Sequence, residues 1–240
     1  MIVRNLEGKK ALVTGGTRGI GAAIANYLYE CGADITITGT KQNHKLKHNY
    51  SYECIDFTLE DDLDNFAEHV KTSDFDILIN NAGINHVCPF LKLNIVDFKK
   101  VQQVNLNAPM ILCQSVLPNM VEKKWGRIVN ISSIWGKISK SHRAPYSSSK
   151  FAIDGLTVSL SAEFASLGIL INSVAPGFID TELTRKNLGA DEMNELAFQV
   201  PAKRIGSPEE VAKLVGYLSG PDNTYISGQN IAIDGGFTRV

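Results

Sequence analysis

Short aliphatic runs alternate with longer helical patterns along this chain, and this alternation restricts the fold more than any other feature. Seven runs predict strands, at residues 10–14, 35–38, 52–55, 75–80, 126–131, 169–175 and 230–233. A strand, helix, strand order predicts parallel strands joined by right-handed crossovers, which places helices on both faces of the sheet. We therefore expect an α/β fold with a doubly wound, mostly parallel sheet of seven strands.

Helices are predicted at about residues 20–31, 60–71, 96–123 and 146–167, and a further helix after Ser207. Within residues 96–123, Pro109 and Pro118 predict a break or a helix start, because proline removes a backbone donor. Ser207 is a good N-cap, and Pro208 suits the first helical position. The chain contains no linker rich in Pro, Gly or Ser, so residues 1–240 are expected to form a single domain.

The composition excludes several classes of protein. Of 240 residues 44% are hydrophobic and 20% charged, and the net charge is -1, which is typical of a globular protein. Without a basic stripe or a basic amphipathic helix, no nucleic acid or membrane partner is expected. Four dispersed cysteines form no CxxC pair, which predicts neither a metal site nor a disulfide framework. A cytoplasmic location is the expectation from this pattern.

A glycine-rich turn joins the first predicted strand to the first predicted helix. Residues 14–21 read TGGTRGIG, with Gly15, Gly19 and Gly21 at the spacing GxxxGxG. Glycine permits a tight turn and a close approach of backbone to a diphosphate, and the following helix N-terminus supplies N–H groups and a partial positive charge. Between the strand and helix of a βαβ unit, this pattern predicts a dinucleotide site.

The end of the second predicted strand indicates which dinucleotide is bound. An acidic residue there would hydrogen-bond an adenosine ribose 2′-hydroxyl and repel a 2′-phosphate. The chain instead has Thr40 and Lys41, and Arg18 with Thr17 lies in the glycine-rich turn. These two cations and two hydroxyls predict a phosphate cradle, so NADP(H) is expected as the cofactor rather than NAD(H).

A phenol and an ammonium group lie four residues apart at Tyr146 and Lys150, and therefore on one face of a helix. A phenol with a pKa of about 10 exchanges protons poorly at neutral pH. A nearby ammonium and an oxidised nicotinamide ring would lower that pKa, making Tyr146 a general acid or base. Ser132 and Ser133 end the fifth strand and Asn81 follows the fourth, at the sheet edge where such folds bind ligands.

These motifs together resemble those of the short-chain dehydrogenase/reductases. The resemblance rests on TGGTRGIG, the NNAG of residues 80–83, Asn105, Ser133, the YSSSK of residues 146–150 and the pair Pro176 and Gly177, and it covers nearly the whole chain. It implies a Rossmann fold and an oxidoreductase acting on CH–OH groups. The subgroup that it resembles in overall pattern is the bacterial 3-oxoacyl-acyl-carrier-protein reductases.

The resemblance also implies roles for individual residues. Ser133 would hydrogen-bond the substrate oxygen, Tyr146 would exchange a proton with it, and Lys150 would hold the nicotinamide ribose. Asn105 would support a water link from the lysine towards solvent. Cofactor contacts are implied at Gly15, Thr17, Arg18, Gly19, Ile20, Gly21, Thr40, Lys41, Asp56, Phe57, Asn81, Ala82, Gly83, Tyr146, Lys150, Pro176, Gly177, Ile179 and Thr181.

The substrate is less well determined by the sequence. The resemblance makes a 3-oxoacyl thioester the first expectation, with a sugar, polyol or cyclic ketone as the alternative. Where the subgroup docks an acidic carrier protein with two arginines, this chain has Lys124 and Leu167. Trp135, His142 and Arg143 could face a polar or anionic substrate. A nucleotide-sensing protein without turnover is a third hypothesis, which the intact Ser133, Tyr146 and Lys150 argue against.

Two further expectations concern the lid and the assembly. In the family, a segment matching residues 178–204 closes over the substrate, and here it has an amphipathic pattern formed by Leu183, Leu188, Met193, Leu196 and Phe198. The resemblance also implies a homotetramer assembled through two long helices, at about residues 109–123 and 146–167. The expected partners are a small ketone or alcohol, further copies of the chain and, as a possibility left open, an acyl carrier protein.

Overall fold

The computed structural model describes residues 5–42, 45–46, 48–187 and 189–240. Its strands are β1 Lys10–Val13, β2 Asp34–Gly39, β3 Ser51–Cys54, β4 Ile77–Asn80, β5 Gly126–Ile131, β6 Ile169–Pro176 and β7 Asn230–Ile233. Its α-helices are α1 Gly19–Glu30, α2 Glu60–Thr72, α3 Ile95–Gln102, α4 Ala108–Lys123, α5 Ala144–Phe164, α6 Glu182–Asn187, α7 Ala190–Gln199 and α8 Pro208–Ser219. Helices and strands alternate as the sequence predicts.

All seven strands form one parallel sheet in the order β3-β2-β1-β4-β5-β6-β7. The order reverses between β1 and β4, where Val13 pairs with Ile37 on one side and with Ile79 on the other. In a doubly wound sheet, this reversal opens a crevice at the carboxyl ends of the strands. The predicted fold class is confirmed, and the sheet is parallel throughout.

The core has two layers, because successive residues of a strand point to opposite faces of the sheet. On one face Val13 and Ile79 pack with α1 and α8, which contribute Ile24 and Val215. On the other face, residues such as Leu12 pack with α2 and α4. Residues buried on both faces explain why the central strands read as continuous aliphatic runs rather than as alternating patterns.

The predicted helix at residues 96–123 is divided in the structure. It comprises α3, a turn of π-helix at Gln103–Asn107, and α4. Pro109 lies in the first turn of α4 as predicted, whereas Pro118 lies inside α4 and does not break it. Helix α5 begins at Ala144 rather than at Tyr146, with Pro145 in its first turn, where a proline needs no backbone partner.

Helix α8 begins as the sequence predicts. The Ser207 hydroxyl accepts a hydrogen bond from the Glu210 backbone N–H at 3.3 Å, and the Glu210 carboxylate accepts one from the Ser207 N–H at 2.8 Å. This reciprocal pair is a capping box. Within the described part of the chain, no helix is both long and apolar enough to cross a membrane. Nor does any group of three or more His, Cys, Asp or Glu side chains there offer a metal site.

Candidate active site

The glycine-rich turn crosses the carboxyl end of β1 and leads into α1. Gly15 and Gly19 have φ angles of 63° and 55°, a left-handed conformation that glycine adopts without strain. A Cβ atom on Gly21 would lie 2.3 Å from the Gly15 carbonyl oxygen, so this position has no room for a side chain. The Gly15 N–H donates to the Thr38 hydroxyl at 3.1 Å, which fixes the turn to β2.

A second segment, residues 81–83 after β4, locks onto this turn. The Thr14 hydroxyl accepts hydrogen bonds from the N–H groups of Asn81 and Ala82, both at 3.0 Å. The Asn81 side-chain amide donates to the carbonyls of Thr14 and Gly15 at 2.9 and 3.1 Å. Asn81 therefore holds the two segments together, so its amide N–H groups are occupied by the turn rather than directed at a ligand.

The residues predicted to hold a 2′-phosphate lie on the accessible side of this turn. Arg18, Thr40 and Lys41 are exposed. A Cβ on Gly39 would lie 2.6 Å from the Thr17 methyl group, which places Thr17 against the end of β2. Tyr52 of β3, which the sequence did not single out, donates its hydroxyl hydrogen to the Lys41 carbonyl at 2.5 Å. Thr17 therefore lies beside the strand end that leads to Thr40 and Lys41, and Arg18 follows Thr17 directly in the chain.

Asp56 and Phe57, two of the cofactor contacts that the resemblance implies, lie after β3. The Asp56 Oδ1 atom accepts hydrogen bonds from the Thr58 N–H at 2.9 Å and from its hydroxyl at 2.8 Å. The Phe57 side chain is only 5% exposed and packs near Phe66, with 6.1 Å between the ring centroids. Phe57 therefore contributes its side chain to the core, and only its backbone can face a ligand.

The segment after β6 returns to the glycine-rich turn. The Gly177 N–H donates to the Ile233 carbonyl at 3.0 Å, and Ile179 forms a bridge with Gly206. The Thr181 methyl carbon lies 3.5 Å from the position that a Cβ on Gly19 would occupy. This brings the implied cofactor contacts that start at Pro176 within contact of the predicted diphosphate site.

Lys150 is buried in α5 beside the end of β5. Its side chain is 4% exposed, and the ammonium group donates to the Ile131 carbonyl at 2.7 Å. The Nζ atom lies 5.6 Å from the centroid of the Tyr146 ring. Burial lowers the pKa of Lys150 to about 8, because an apolar environment disfavours the charged form. Lys150 is therefore held beside the Tyr146 ring in an environment where its charged form is less stable than it would be in water.

The phenol of Tyr146 has a different electrostatic environment from the one predicted. Burial raises its pKa, while a hydrogen bond from the Ser133 hydroxyl and the positive charge of Arg143 act to lower it. The sequence predicted a pKa lowered by Lys150 together with an oxidised nicotinamide ring. Among the protein's own groups, desolvation outweighs the other effects, and the cationic influence comes from Arg143. Ser133 and Tyr146 are nevertheless brought together, as predicted.

Asn105 lies in the π-helical turn and is 1% exposed. Its Oδ1 atom accepts from the Ile84 N–H and its Nδ2 atom donates to the Ile84 carbonyl, both at 2.9 Å. Nδ2 also donates to the Ser149 hydroxyl at 3.0 Å. Asn105 thus connects the segment after β4 to α5 at Ser149, one residue before Lys150. Its side-chain hydrogen bonds are made to other residues of the protein.

Three aromatic rings form a wall that the sequence reasoning found only in part. Phe178 and Phe237 have their ring centroids 5.0 Å apart, and Trp135 lies 6.4 Å from each of them, all in edge-to-face contacts. Trp135 immediately follows Ser133 and Ile134, and its N–H donates to the Ser133 hydroxyl at 3.2 Å. Phe237 comes from a segment far along the chain, so no local pattern could have indicated this contact.

The predicted lid contains α6 and α7. Met193 and Leu196 lie on one half-buried face of α7, whereas Phe198 is 74% exposed. This arrangement agrees with an amphipathic helix, although Leu188 lies outside the described residues. At the two positions compared with carrier-docking arginines, Lys124 is exposed with a φ of 53°, and Leu167 is exposed and uncharged.

Comparisons with known proteins identify the family of this chain. Residues 9–192 match the family model for the short chain dehydrogenases. The chain is 37% identical over 242 residues to the 3-oxoacyl-[acyl-carrier-protein] reductase FabG of Rickettsia prowazekii, covering 98% of this chain and 99% of that protein. These matches extend well beyond the motifs, so the likeness is one of the whole fold.

Two solved structures show the same fold with a bound nicotinamide nucleotide. A gluconate 5-dehydrogenase from Burkholderia cenocepacia, in complex with NADP and tartrate, is 29% identical with a TM-score of 0.91, covering 100% of this chain and 98% of that one. A 4-hydroxyisoleucine dehydrogenase complexed with NADH is 33% identical with a TM-score of 0.89, covering 96% and 99%.

The fold and the matches define an NAD(P)-dependent oxidoreductase that acts on CH–OH groups. The chain belongs to the short-chain dehydrogenase/reductase family, and its curated relatives at 37% identity include 3-oxoacyl-[acyl-carrier-protein] reductases.

Proposed function

We propose that this protein uses NADPH to reduce a ketone to a secondary alcohol, with a 3-oxoacyl thioester as its principal substrate. The observation that carries the proposal is the meeting of Ser133, Tyr146 and Lys150 at the carboxyl end of β5, where the Lys150 Nζ atom lies 3.8 Å from the position that a Cβ on Gly83 would occupy. Curated relatives at 37% identity, named for this reaction, support the thioester.

The proposed mechanism follows from what these side chains can donate. The nicotinamide cofactor supplies the hydride and, in its oxidised form, a positive charge. As hydride reaches the carbonyl carbon, the Tyr146 hydroxyl donates its proton to the carbonyl oxygen. The Ser133 hydroxyl hydrogen-bonds that same oxygen and orients it. A positioned general acid of this kind contributes roughly 10²–10⁴ in rate.

The remaining predicted residues support this step. Lys150 would bind the nicotinamide ribose and stabilise the phenolate left on Tyr146 after proton transfer. Asn105 would keep the segment after β4 and the start of α5 in a fixed relative position through its bonds to Ile84 and Ser149. Small residues at Ala82 and Gly83 would allow the cofactor to approach closely.

The preference for NADP(H) rests on charge. Arg18 and Lys41, with Thr17 and Thr40, are accessible at the end of β2, and no carboxylate occurs among residues 38–41. A 2′-phosphate would gain charge-assisted hydrogen bonds there. Among the similar structures one contains NADP and another NADH, so the choice has to be measured on this protein.

The first experiment measures oxidation of NADPH and of NADH by the purified protein. The substrates are the N-acetylcysteamine thioester of acetoacetate and a panel of sugar, cyclic and acidic ketones that includes 5-oxogluconate. The proposal expects turnover of the thioester with NADPH. Turnover of only the other ketones would refute the proposal that a thioester is the substrate, but it would support the proposed ketone reduction.

The catalytic assignment is tested by Tyr146→Phe, which removes the hydroxyl and keeps the ring. We expect turnover to fall about 10²–10⁴-fold and cofactor affinity, measured by fluorescence titration, to change little. Phe164→Tyr, which adds a hydroxyl in the same helix away from Ser133, serves as a control and should keep full activity. Undiminished turnover in Tyr146→Phe would remove Tyr146 from the acid role.

A second candidate function is the interconversion of a hydroxy acid and its oxo acid, as in the gluconate 5-dehydrogenase that the chain resembles. Two observations favour it. Leu167 replaces one expected carrier-docking cation, and the residues between Ser133 and Tyr146 include four basic and no acidic side chains. The same substrate panel separates the two candidates.

We further propose that residues 1–240 act as one domain, in the cytoplasm, as a homotetramer. The continuous seven-stranded sheet supports a single domain. Apolar side chains exposed on α4 and α5, among them Met110, Phe151 and Val158, support association through these helices. No nucleic acid or membrane partner is proposed, and the loss of charge at Leu167 argues against tight docking of an acyl carrier protein.

A further inference from the structure

The pairing of β2 with β3 ends just before two of the residues proposed to bind the 2′-phosphate. The last paired residues are Gly39 and Cys54, and the Ile55 N–H donates to the Gly39 carbonyl at 2.8 Å. Thr40 and Lys41 continue beyond this point, and both are exposed. Ladder hydrogen bonds hold a strand in place only as far as its pairing extends, so the position of Lys41 depends on contacts outside the ladder.

The side chain of Tyr52, in β3, makes such a contact. Its hydroxyl donates a hydrogen bond to the Lys41 carbonyl at 2.5 Å, which is at the short end of the range for two oxygen atoms. Burial raises the pKa of the Tyr52 hydroxyl, so this group remains a donor at neutral pH. The bond therefore ties the backbone at Lys41 to the neighbouring strand.

The same hydroxyl borders Gly39, the last residue of β2. A Cβ atom on Gly39 would lie 2.6 Å from the Thr17 methyl carbon and 3.0 Å from the Tyr52 hydroxyl oxygen, closer than the usual contact distance between such atoms. An acidic side chain at the end of this strand is what would bind a ribose 2′-hydroxyl. Tyr52 and Thr17 together leave no room for a side chain at Gly39.

Glu53, the acidic residue next to Tyr52, points away from this site. Successive residues of a strand point to opposite faces of the sheet. Tyr52 packs on the face covered by α1, whereas a Glu53 carboxylate oxygen lies 3.8 Å from a nitrogen of His69 in α2. The negative charge of Glu53 is therefore on the other face of the sheet from α1, the helix that Arg18 precedes.

We propose that Tyr52 is a positioning residue for cofactor selection, which holds the backbone at Lys41 so that the lysine ammonium binds the adenosine 2′-phosphate. A group that is ordered before its ligand arrives loses less conformational entropy on binding. NADP(H) gains the charge-assisted hydrogen bond to this phosphate, and NAD(H) has no phosphate there. The inference rests on the proposed use of NADP(H) and deepens it, because it assigns part of the preference to an uncharged residue.

The test measures the dissociation constants of NADPH and NADH by titration of nicotinamide fluorescence, which requires no ketone. The proteins are the wild type, Tyr52→Phe, Lys41→Gln and the double variant with both substitutions. Tyr52→Phe removes the hydroxyl and keeps the ring. Tyr225→Phe is the matched control, because Tyr225 is 96% exposed and lies between α8 and β7.

We expect the wild type to bind NADPH at least tenfold more tightly than NADH, and Tyr52→Phe to lower this ratio at least threefold. The affinity for NADH should change less than twofold, because NADH lacks the 2′-phosphate. Tyr225→Phe should keep the wild-type ratio. A general disturbance of the fold would weaken the binding of both nucleotides, so the ratio isolates recognition of the phosphate.

The double variant tests whether Tyr52 acts through Lys41. Once the lysine charge is absent, removal of the Tyr52 hydroxyl should change the ratio by less than twofold, because two residues that act through one contact are not additive. Losses that multiply in the double variant would contradict action through Lys41. A ratio in Tyr52→Phe equal to that of the wild type would overturn the inference.

The outcomes separate this inference from the proposed function. If the wild type prefers NADPH and Tyr52→Phe keeps that preference, the proposed cofactor stands and the inference fails. If the wild type binds NADH as tightly as NADPH, the proposed cofactor preference and the inference fail together. If no ketone is turned over, the reductase proposal fails, but the binding ratio still decides the role of Tyr52.

Discussion

At the scale of single residues, the site depends on charges held away from water. Lys150 is almost completely buried, and its ammonium group donates a hydrogen bond to the Ile131 carbonyl. The spacing of Tyr146 and Lys150 predicted their common helix face. It could not predict that burial would raise the Tyr146 pKa or that Arg143 would act on the phenol, because both effects depend on tertiary packing.

The lowered pKa of Lys150 predicts how stability depends on pH. In the unfolded chain lysine titrates near 10.4, and in the folded protein near 8. Between these values the unfolded state binds more protons, so the free energy of unfolding rises with pH from about 8 to about 10. Below pH 8 both states are charged, and the folded state carries the full cost of the buried ammonium.

This effect is isolated by comparison with Lys150→Met, which does not titrate. Denaturant unfolding of both proteins between pH 7 and pH 10 should show the wild type gaining stability relative to the variant above pH 8. The slope for one group is at most about 1.4 kcal/mol per pH unit. A stability difference that is constant over this range would contradict the buried charged lysine.

At the scale of secondary structure elements, the sequence was most informative where turn chemistry is local. The glycine-rich turn, the Ser207 cap and all seven strands were predicted to within a few residues. The π-helical turn at Gln103–Asn107 was not, since residues 103–107 carry neither proline nor glycine. Its cause is non-local, because the Asn105 side chain is held by Ile84 and Ser149.

Gly21→Ala tests the role of the glycine-rich turn in binding the cofactor. The added methyl group would meet the Gly15 carbonyl oxygen and the Asn81 amide, so the turn must open and cofactor affinity should fall about tenfold or more. That ratio corresponds to about 1.4 kcal/mol. Gly155→Ala is the matched control, because a Cβ there meets nothing within 4 Å. Titration of nicotinamide fluorescence measures both, and unchanged affinity in Gly21→Ala would contradict the assignment.

Asn105→Leu tests the connection between the π-helical turn and the segment after β4. The variant leaves the partly buried N–H and carbonyl of Ile84 without their partner. An unpaired group costs about 1–3 kcal/mol when fully buried, so the loss for each of these groups should lie at or below the lower end of that range. We expect the melting temperature to fall by roughly 2–4 °C per kcal/mol for a chain of this size, and amide exchange at Ile84 to become faster. Asn119→Leu, which loses one exposed bond to Lys71, is the control. Unaltered exchange at Ile84 would refute this role.

At the scale of the whole molecule, the connections between strands allowed the sequence to predict a doubly wound parallel sheet. The partners of its outer helices were not predictable, because the sequence of one chain does not show what covers an exposed face. Phe151 and Val158 on α5 are each about half exposed, and large exposed apolar patches commonly mark interfaces. Their position on α5 favours association through the same helix that the family resemblance implied.

We expect a homotetramer at micromolar concentration by multi-angle light scattering. Introducing a charge at the helix surface with Phe151→Arg or Val158→Arg should shift the mass to a smaller species, since an unpaired charge in an interface is unfavourable. Leu59→Arg, on an exposed residue before α2, should leave the mass unchanged. A monomeric wild type would contradict the assembly.

The aromatic wall has a consequence for the order in which parts of the proposed site form during synthesis of the chain. Strands β1 to β4 pair among themselves, and they carry the glycine-rich turn and the segment at residues 81–83. The amino-terminal part of a chain emerges first from the ribosome. Tyr146 and Lys150 follow, and Phe237 completes the wall much later. On this order of synthesis, we expect a ribosome-bound chain to form the proposed nucleotide surface well before the proposed substrate site.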